Sequence, residues 1–246
     1  MVAAVLAGGL GMRLRPVIGG TPKALAPVDR TPFIEFLLDQ LGEAGVSRIV
    51  VCAGHGGAQL RRALEGRRAG TPLVVSQEAW PMGTGGALRQ AFDHFDSETV
   101  LVLNGDSYVD TSLAQFCTWQ QSHPFPSALL LTWAENTAES GAVEVDATGR
   151  ILALGVNRGI PQAGWVDAGV YLLSRAWLEA LPHETPLSLE RDVFPFWIER
   201  GLGGYCVRAP FLDIGTPEGL AQAPSFFASL GKKSKAAEGL SQVRRA

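Results

Sequence analysis

Leu6 to Pro16 reads LAGGLGMRLRP, an apolar run that ends in Gly8, Gly9 and Gly11 with Arg13 and Arg15 directly behind them. Glycines placed immediately after a first strand let backbone N–H groups approach an oxyanion closely. Arg13 adds a planar, permanently charged fork suited to phosphate oxygens, and Lys23, in GGTPKALAP, adds a second cation a short way downstream. A dinucleotide fingerprint would put a third glycine where the arginines stand, and no GK[ST] follows at Walker A spacing. The set points to a polyphosphate held by bare backbone and fixed positive charge. A tight strand-to-helix turn flanked by solvated cations fits the same residues, so the loop alone leaves both readings open.

Acting together, these residues need a scaffold. Short apolar runs at Ala3 to Ala7, Arg48 to Ala53, Pro72 to Ser76 and Thr99 to Leu103 alternate with helically spaced segments at Pro32 to Ala44, Ala58 to Glu65 and Gly85 to Phe92. Phe33, Phe36, Leu37 and Leu41 share one helix face. This alternation predicts parallel strands buried on both sides, a doubly wound α/β sheet whose ligand lies beyond the carboxyl ends of the strands. After Ser127 the rhythm tightens to strands at Ala128 to Trp133, Ala142 to Asp146, Arg150 to Leu154 and Gly164 to Leu173, predicting antiparallel hairpins added to the sheet. Helices are predicted again at Arg175 to Leu181, Ser188 to Glu199 and Pro217 to Leu230. With no repeat and no linker, residues 1–231 read as one domain, and the basic, polar stretch 232–246 has no core pattern and is expected to be disordered.

The 246 residues are 46% hydrophobic and 18% charged, as in ordinary globular proteins. Five cations against Glu238 in the last fifteen residues give that tail +4, so with a net charge of −3 overall the body carries −7. An acidic body argues against a nucleic-acid partner. Cys52, Cys117 and Cys206 are odd in number and widely spaced, which indicates neither a disulfide framework nor a zinc site. His55, His94, His123 and His183 are scattered and receive no catalytic role. No basic leader precedes the first apolar run and no segment nears the roughly 18 apolar residues of a membrane span. The expectation is a soluble, cytoplasmic protein without a membrane partner.

LAGGLGMRLRPVIGGTPKALAPV closely resembles the signature of the sugar-1-phosphate nucleotidyltransferases, or NDP-sugar pyrophosphorylases, whose usual form is LAGGxGTRLxP followed by PKP. Met12 stands for the usual Thr and Ala24 for the second Pro. LNGDSYVD resembles that family's strand-end GD motif, FLDIGTPEGL its D-x-G-T-P motif, and the matches run to about Pro217. Within the family, length and motifs are most similar to the short bacterial guanylyltransferases for D-glycero-α-D-manno-heptose 1-phosphate. The resemblance implies a Rossmann-like, mostly parallel mixed sheet with added hairpins. It also implies Mg²⁺ held by Asp106 and Asp213, and a catalytic set of Arg13, Lys23, Asp106 and Asp213. Physically, the Val100 to Leu103 run delivers Asp106 to a strand's carboxyl end, and two carboxylates plus substrate phosphates suffice for magnesium. Each aspartate alone also reads as a turn or capping residue.

By the same resemblance Leu6, Gly8, Gly9 and Gly11 line the nucleotide, and SQEAWPMGTGGALRQA matches the base loop, placing Gln77, Gly83, Thr84 and Gly86 beside it. Trp80 and Trp165 flank the proposed base and sugar segments as candidate cleft walls. On the sugar-phosphate side stand Gly141, Asp167 and Arg158, with Asn157 where the family has a glutamate; Asp167 itself replaces a usual asparagine. A surface loop explains Asn157 and Arg158 equally well. The implied partners are a nucleoside triphosphate, GTP by the base loop, and a mannose-type or heptose 1-phosphate, with a homo-oligomer left open. Rival readings are a uridylyl-, thymidylyl- or adenylyltransferase for another hexose or amino-sugar phosphate, and a silent nucleotide-sugar-binding regulatory subunit. An NAD-dependent dehydrogenase is disfavoured by Arg13 and by Cys52, Ala53 and Gly54 where a ribose-binding acid would stand.

Overall fold

The computed structural model describes residues 1–65, 70–183 and 186–231, so the stretch 232–246, expected above to be disordered, lies outside the described residues. The chain begins with β1 (Val2–Leu6), the short α1 (Arg15–Ile18), a hairpin of β2 (Pro27–Val28) and β3 (Thr31–Pro32), α2 (Phe33–Glu43), β4 (Arg48–Ala53) and α3 (Gly57–Leu64). It continues through β5 (Leu73–Gln77), α4 (Gly83–Gln90), β6 (Thr99–Asn104), β7 (Ser107–Val109) and α5 (Leu113–Gln121). Then come β8 (Ser127–Ala134), β9 (Ala142–Val145), β10 (Ile151–Val156), β11 (Gly164–Ser174) and α6 (Arg175–Glu179). A π-helical turn at Leu189–Val193 runs into α7 (Phe194–Ile198), followed by β12 (Leu202–Val207), β13 (Phe211–Asp213) and α8 (Pro217–Ser229).

Seven strands form the central sheet in the order β12-β8-β11-β6-β1-β4-β5. β1 pairs in parallel with β4 and β6, β4 with β5, and β8 with β12; β11 alone is reversed, antiparallel between β6 and β8. The mostly parallel mixed sheet predicted from the strand–helix rhythm is the observed one. Of the closely spaced later strands, β8 and β11 join the sheet, whereas β9 and β10 pair only with each other. The segment read as one helix from Ser188 opens instead as a π turn, with Val193 N–H donating to Ser188 O at 3.2 Å. Pro195 follows at the start of α7 and has no N–H to give the preceding turn.

The first strand shows why the strands read as unbroken apolar runs. Ala3 and Val5 enter the core on one face, with Phe33, Leu60 and Phe116, while Val2 and Ala4 enter the core on the other, with Leu88, Phe92 and Phe194. Successive side chains point to opposite faces and both faces are covered, so every position is apolar. Helix α8 packs residues 217–229 onto this body. Phe227 stacks on Phe36 at 3.8 Å between centroids and meets Tyr108 of β7 edge-on at 5.0 Å. β7 in turn pairs with β13. Phe227 is 2% exposed, so Phe227→Ala should cost about 3–5 kcal/mol in urea unfolding through lost burial and the cavity left behind. A loss under about 1 kcal/mol would mean that α8 is not locked by this ring.

Candidate active site

The carboxyl ends of β1, β4 and β6 converge so closely that side chains are excluded between them. Gly105 N–H donates to Leu6 O at 2.9 Å, and a Cβ on Gly105 would stand 2.7 Å from that oxygen. A Cβ on Gly54, just past β4, would stand 2.7 Å from Gly8 O. Ala7 N–H donates to Cys52 O at 2.8 Å and completes the junction. The glycine loop therefore leaves β1 as exposed backbone facing a cleft.

Two chambers open from that junction. The first, about 320 Å³, is lined by Leu6, Gly8, Gly9, Glu78, Gly83 and Thr84 among others. The second, about 500 Å³, is lined by Gly141, Arg158, Asp167, Tyr171, Glu190 and Asp213 among others. Asn104 and Asp106 line both. Lys23 Nζ, from a 3₁₀ turn at Lys23–Leu25, donates to Asp106 Oδ2 at 2.8 Å, and the lysine also lines the first chamber.

Asp213 is carried to Asp106 by the β7–β13 pairing, which sets Asp213 opposite Ser107, and Ile214 N–H donates to Asp106 O at 2.9 Å. Burial holds the Asp213 carboxyl above its ordinary value and the Asp106 charge pushes the same way. The Gly215 N–H bond to Asp213 Oδ1, 2.6 Å, and the charges of Lys23 and Arg13 oppose that rise. Among the described residues no cluster of three or more His, Cys, Asp or Glu side chains forms a ready-made metal site. Two repelling carboxylates at a cleft junction suit a divalent cation that takes its other ligands from phosphate and water.

The second chamber has a built polar floor. Asp167 accepts from Gly169 N–H at 2.8 Å and from Tyr171 OH at 3.0 Å, while Asn104 Nδ2 donates to Tyr171 OH at 3.3 Å. Burial raises the Asp167 carboxyl to about 7, with the Glu190 charge adding to the rise. The segment leading into the π turn that bears Glu190 also staples the first chamber: Gly85 N–H donates to Leu187 O and Leu187 N–H to Met82 O, each at 2.8 Å. Gly83, at φ +72°, fits there because a side chain would strike the Leu187 carbonyl.

Not every expected residue reaches the cleft. Gln77 ends β5 with its side chain packed against Gly57, whereas its neighbour Glu78 lines the first chamber beside Gly8 and Gly54. Alternation along the strand separates the two. Glu78 accepts from Met82 N–H at 3.2 Å, and burial raises its carboxyl. Asn157 sits exposed in a turn at φ +52° and is not among the residues lining the second chamber, while Arg158 lines it and bonds Ser140 O at 2.9 Å. Gly86 is buried within α4. Gly11 lies against the Lys23 stem, and Arg13 is exposed on the Asp213 side, outside both linings. Trp80 is exposed, and Trp165 packs edge-on against Trp133. Glu78, Asn104, Tyr171 and Glu190 line the cleft and went unassigned from sequence; Glu190 stands beside Arg191 and Asp192 in SLERDVFPF, where nothing in the sequence singles it out.

The family model described as nucleotidyl transferase matches residues 2–229. A D-glycero-α-D-manno-heptose 1-phosphate guanylyltransferase of Aneurinibacillus thermoaerophilus is 29% identical over 224 residues, covering 91% of this chain and 96% of the relative. The mannose-1-phosphate guanylyltransferase of Mycobacterium tuberculosis is 29% identical over 88% of this chain, which spans only 61% of that enzyme's length. The crystal structure of HddC from Yersinia pseudotuberculosis complexed with GMP-PN superposes with a TM-score of 0.81 at 26% identity, covering 92% of this chain and 99% of that one.

A raised Asp167 carboxyl makes stability depend on pH in a defined direction. Between the ordinary aspartate value of 3.8 and about 7 the folded chain binds a proton that the unfolded chain releases. This group therefore costs stability as pH rises through that window and restores it on acidification. Lowering pH from about 8 to about 5 should raise the melting temperature of the native chain relative to Asp167→Asn, which carries no such proton. Parallel melting curves for the two proteins across that range would show the Asp167 carboxyl to be ionised throughout.

Proposed function

The chain belongs to the nucleotidyl transferase family, and on that premise we propose that it transfers a nucleotidyl group from a nucleoside triphosphate to a sugar 1-phosphate, releasing pyrophosphate. One observation carries the reading: two chambers converge on Asp106, where Lys23 stands at 2.8 Å and Asp213 is the next carboxylate. Glycine backbone, Thr84 and Glu78 give the first chamber the character of a nucleotide site, and the acidic, hydroxyl-bearing floor of the second suits a sugar. GTP and a heptose or mannose-type 1-phosphate are the substrates we favour, following the activities named for the relatives. No membrane-spanning helix occurs among the described residues. The three free cysteines and the need for nucleoside triphosphate favour the cytoplasm, with no nucleic-acid partner.

The reaction needs no side-chain nucleophile. A phosphate oxygen of the sugar 1-phosphate attacks the α-phosphorus, the new O–P bond forms as the bond to the bridging oxygen breaks, and negative charge passes to departing pyrophosphate. The chain contributes position and charge. Gly8 and Gly9 present backbone to the triphosphate, and Lys23 exchanges its Asp106 partner for phosphate oxygens. Arg13 meets the leaving group from the loop, and Arg158 meets the sugar phosphate at the rim of the second chamber. Asp106 and Asp213 would hold Mg²⁺, which when bound supplies charge neutralisation at the transferring phosphate.

A pyrophosphate-release screen of the common nucleoside triphosphates against a panel of sugar 1-phosphates tests the reading, and GTP with the heptose or mannose 1-phosphate should give the highest kcat/KM. Asp106→Asn and Asp213→Asn should each lower turnover by about 100-fold or more with unchanged melting behaviour. Absence of release for every pair would overturn the function, and near-native turnover in either variant would remove that residue from the proposed metal site.

A further inference from the structure

Glu190 belongs to none of the sequence signatures above, yet it is placed where the two chambers share a wall. Its Oε2 accepts from Ser188 Oγ at 2.7 Å and from Thr84 Oγ1 at 3.2 Å. Leu189 N–H donates to the same Thr84 oxygen at 2.7 Å, so Thr84 is fixed as both donor and acceptor. One oxygen of the carboxylate is thus anchored to the first turn of α4, whose Thr84 lines the first chamber.

The other oxygen is not served in this way. Glu190 Oε1 faces Tyr171 OH at 3.4 Å, but that hydroxyl also reaches Asp167 Oδ2, at 3.0 Å. A tyrosine has one hydroxyl hydrogen, and the shorter contact takes it. Asn104 Nδ2 donates to the tyrosine oxygen and cannot relieve the carboxylate. Asp167 has both of its oxygens occupied, by Gly169 N–H and by Tyr171 OH. With Asp167 ionised, Glu190 Oε1 therefore has, among the described residues, the longer and shared approach of the Tyr171 hydroxyl, and Glu190 lines the 500 Å³ chamber.

Resting on the nucleotidyl-transfer reading, we infer that Glu190 is a specificity-determining residue that accepts a hydrogen bond from a ring hydroxyl of the sugar 1-phosphate. Because the opposite oxygen holds Thr84, the carboxylate is oriented before the sugar enters, so little freedom is lost when the hydroxyl binds. A sugar lacking that hydroxyl leaves a charged acceptor unpaired against the chamber wall.

The experiment crosses enzyme variants with substrate variants. Steady-state kinetics at saturating nucleotide are measured for the preferred sugar 1-phosphate and its monodeoxy analogues, with native chain, Glu190→Gln and Thr84→Val. In the native chain one analogue should lose about 10- to 100-fold in kcat/KM, the range for a hydrogen bond to a charged group. In Glu190→Gln the parent sugar should lose a similar factor, mostly in KM, and that analogue should lose little more. Thr84→Val, which removes one of the two hydrogen bonds to Oε2 and leaves that of Ser188 Oγ, should weaken nucleotide binding in equilibrium titration while keeping most of the deoxy penalty. Equal deoxy penalties in native chain and Glu190→Gln would overturn the inference while leaving nucleotidyl transfer intact. So would a Glu190→Gln variant that loses nucleotide affinity as strongly as sugar affinity. Failure of the native chain to transfer to any sugar 1-phosphate overturns the underlying reading instead.

Discussion

The close approach of three strand ends governs the rest of this molecule. Leu6 O, Gly105 and the Gly8–Gly54 contact bring β1, β4 and β6 together at distances that admit no Cβ. Backbone alone occupies the junction, so the loop beyond β1 is free to present N–H groups, and Asp106 emerges one residue past the contact. An alanine at Gly105 would drive these ends apart and displace both the loop and the aspartate. Tight packing of the two cores on either side of the sheet supplies the rigidity that holds such a contact in place.

Charge at the junction is balanced rather than minimised. Asp106 is paired with Lys23, and Asp213 is held above its ordinary value by burial and by Asp106. With partners 19% and 31% exposed, the Lys23–Asp106 pair is a solvent-reached contact, and in the proposed chemistry it is the one that yields to phosphate. The same arrangement explains the absence of a nucleophile from the proposed chemistry: the site offers cations and paired carboxylates, which suit a reaction whose difficulty is charge on phosphate oxygens.

The parts legible in the sequence were those fixed by local rules. Strands buried on both faces read as apolar runs, and the glycine loop and Asp106 follow strands directly, so position along the chain was position in the cleft. What escaped depended on side-chain direction or on distant packing. Gln77 and Glu78 differ by one residue and thus by strand face. Asn157 matched a motif position, but it sits exposed in a left-handed turn and is not among the residues lining the chamber. β12 was masked by Gly203 and Gly204, weak strand formers that are needed because a Cβ at either would stand 2.7 Å from Phe125 and 2.9 Å from Leu131 respectively. Helix α5 buries only Leu113 and Phe116, too few to mark a periodic face. Glu190 acquires its setting from Thr84 and Tyr171, far away in sequence and without a spacing to betray them.

The proposed transfer is a single in-line displacement at the α-phosphorus between the two chambers, with the chain providing position and charge. Its most direct test is the stereochemical course of transfer from a nucleoside triphosphate carrying one sulfur of known configuration at the α-phosphorus. Product in which that configuration is inverted is the expected result, because the sugar-phosphate oxygen enters opposite the departing pyrophosphate. Retained configuration would require two displacements through a covalent nucleotidyl-protein intermediate and would contradict the account.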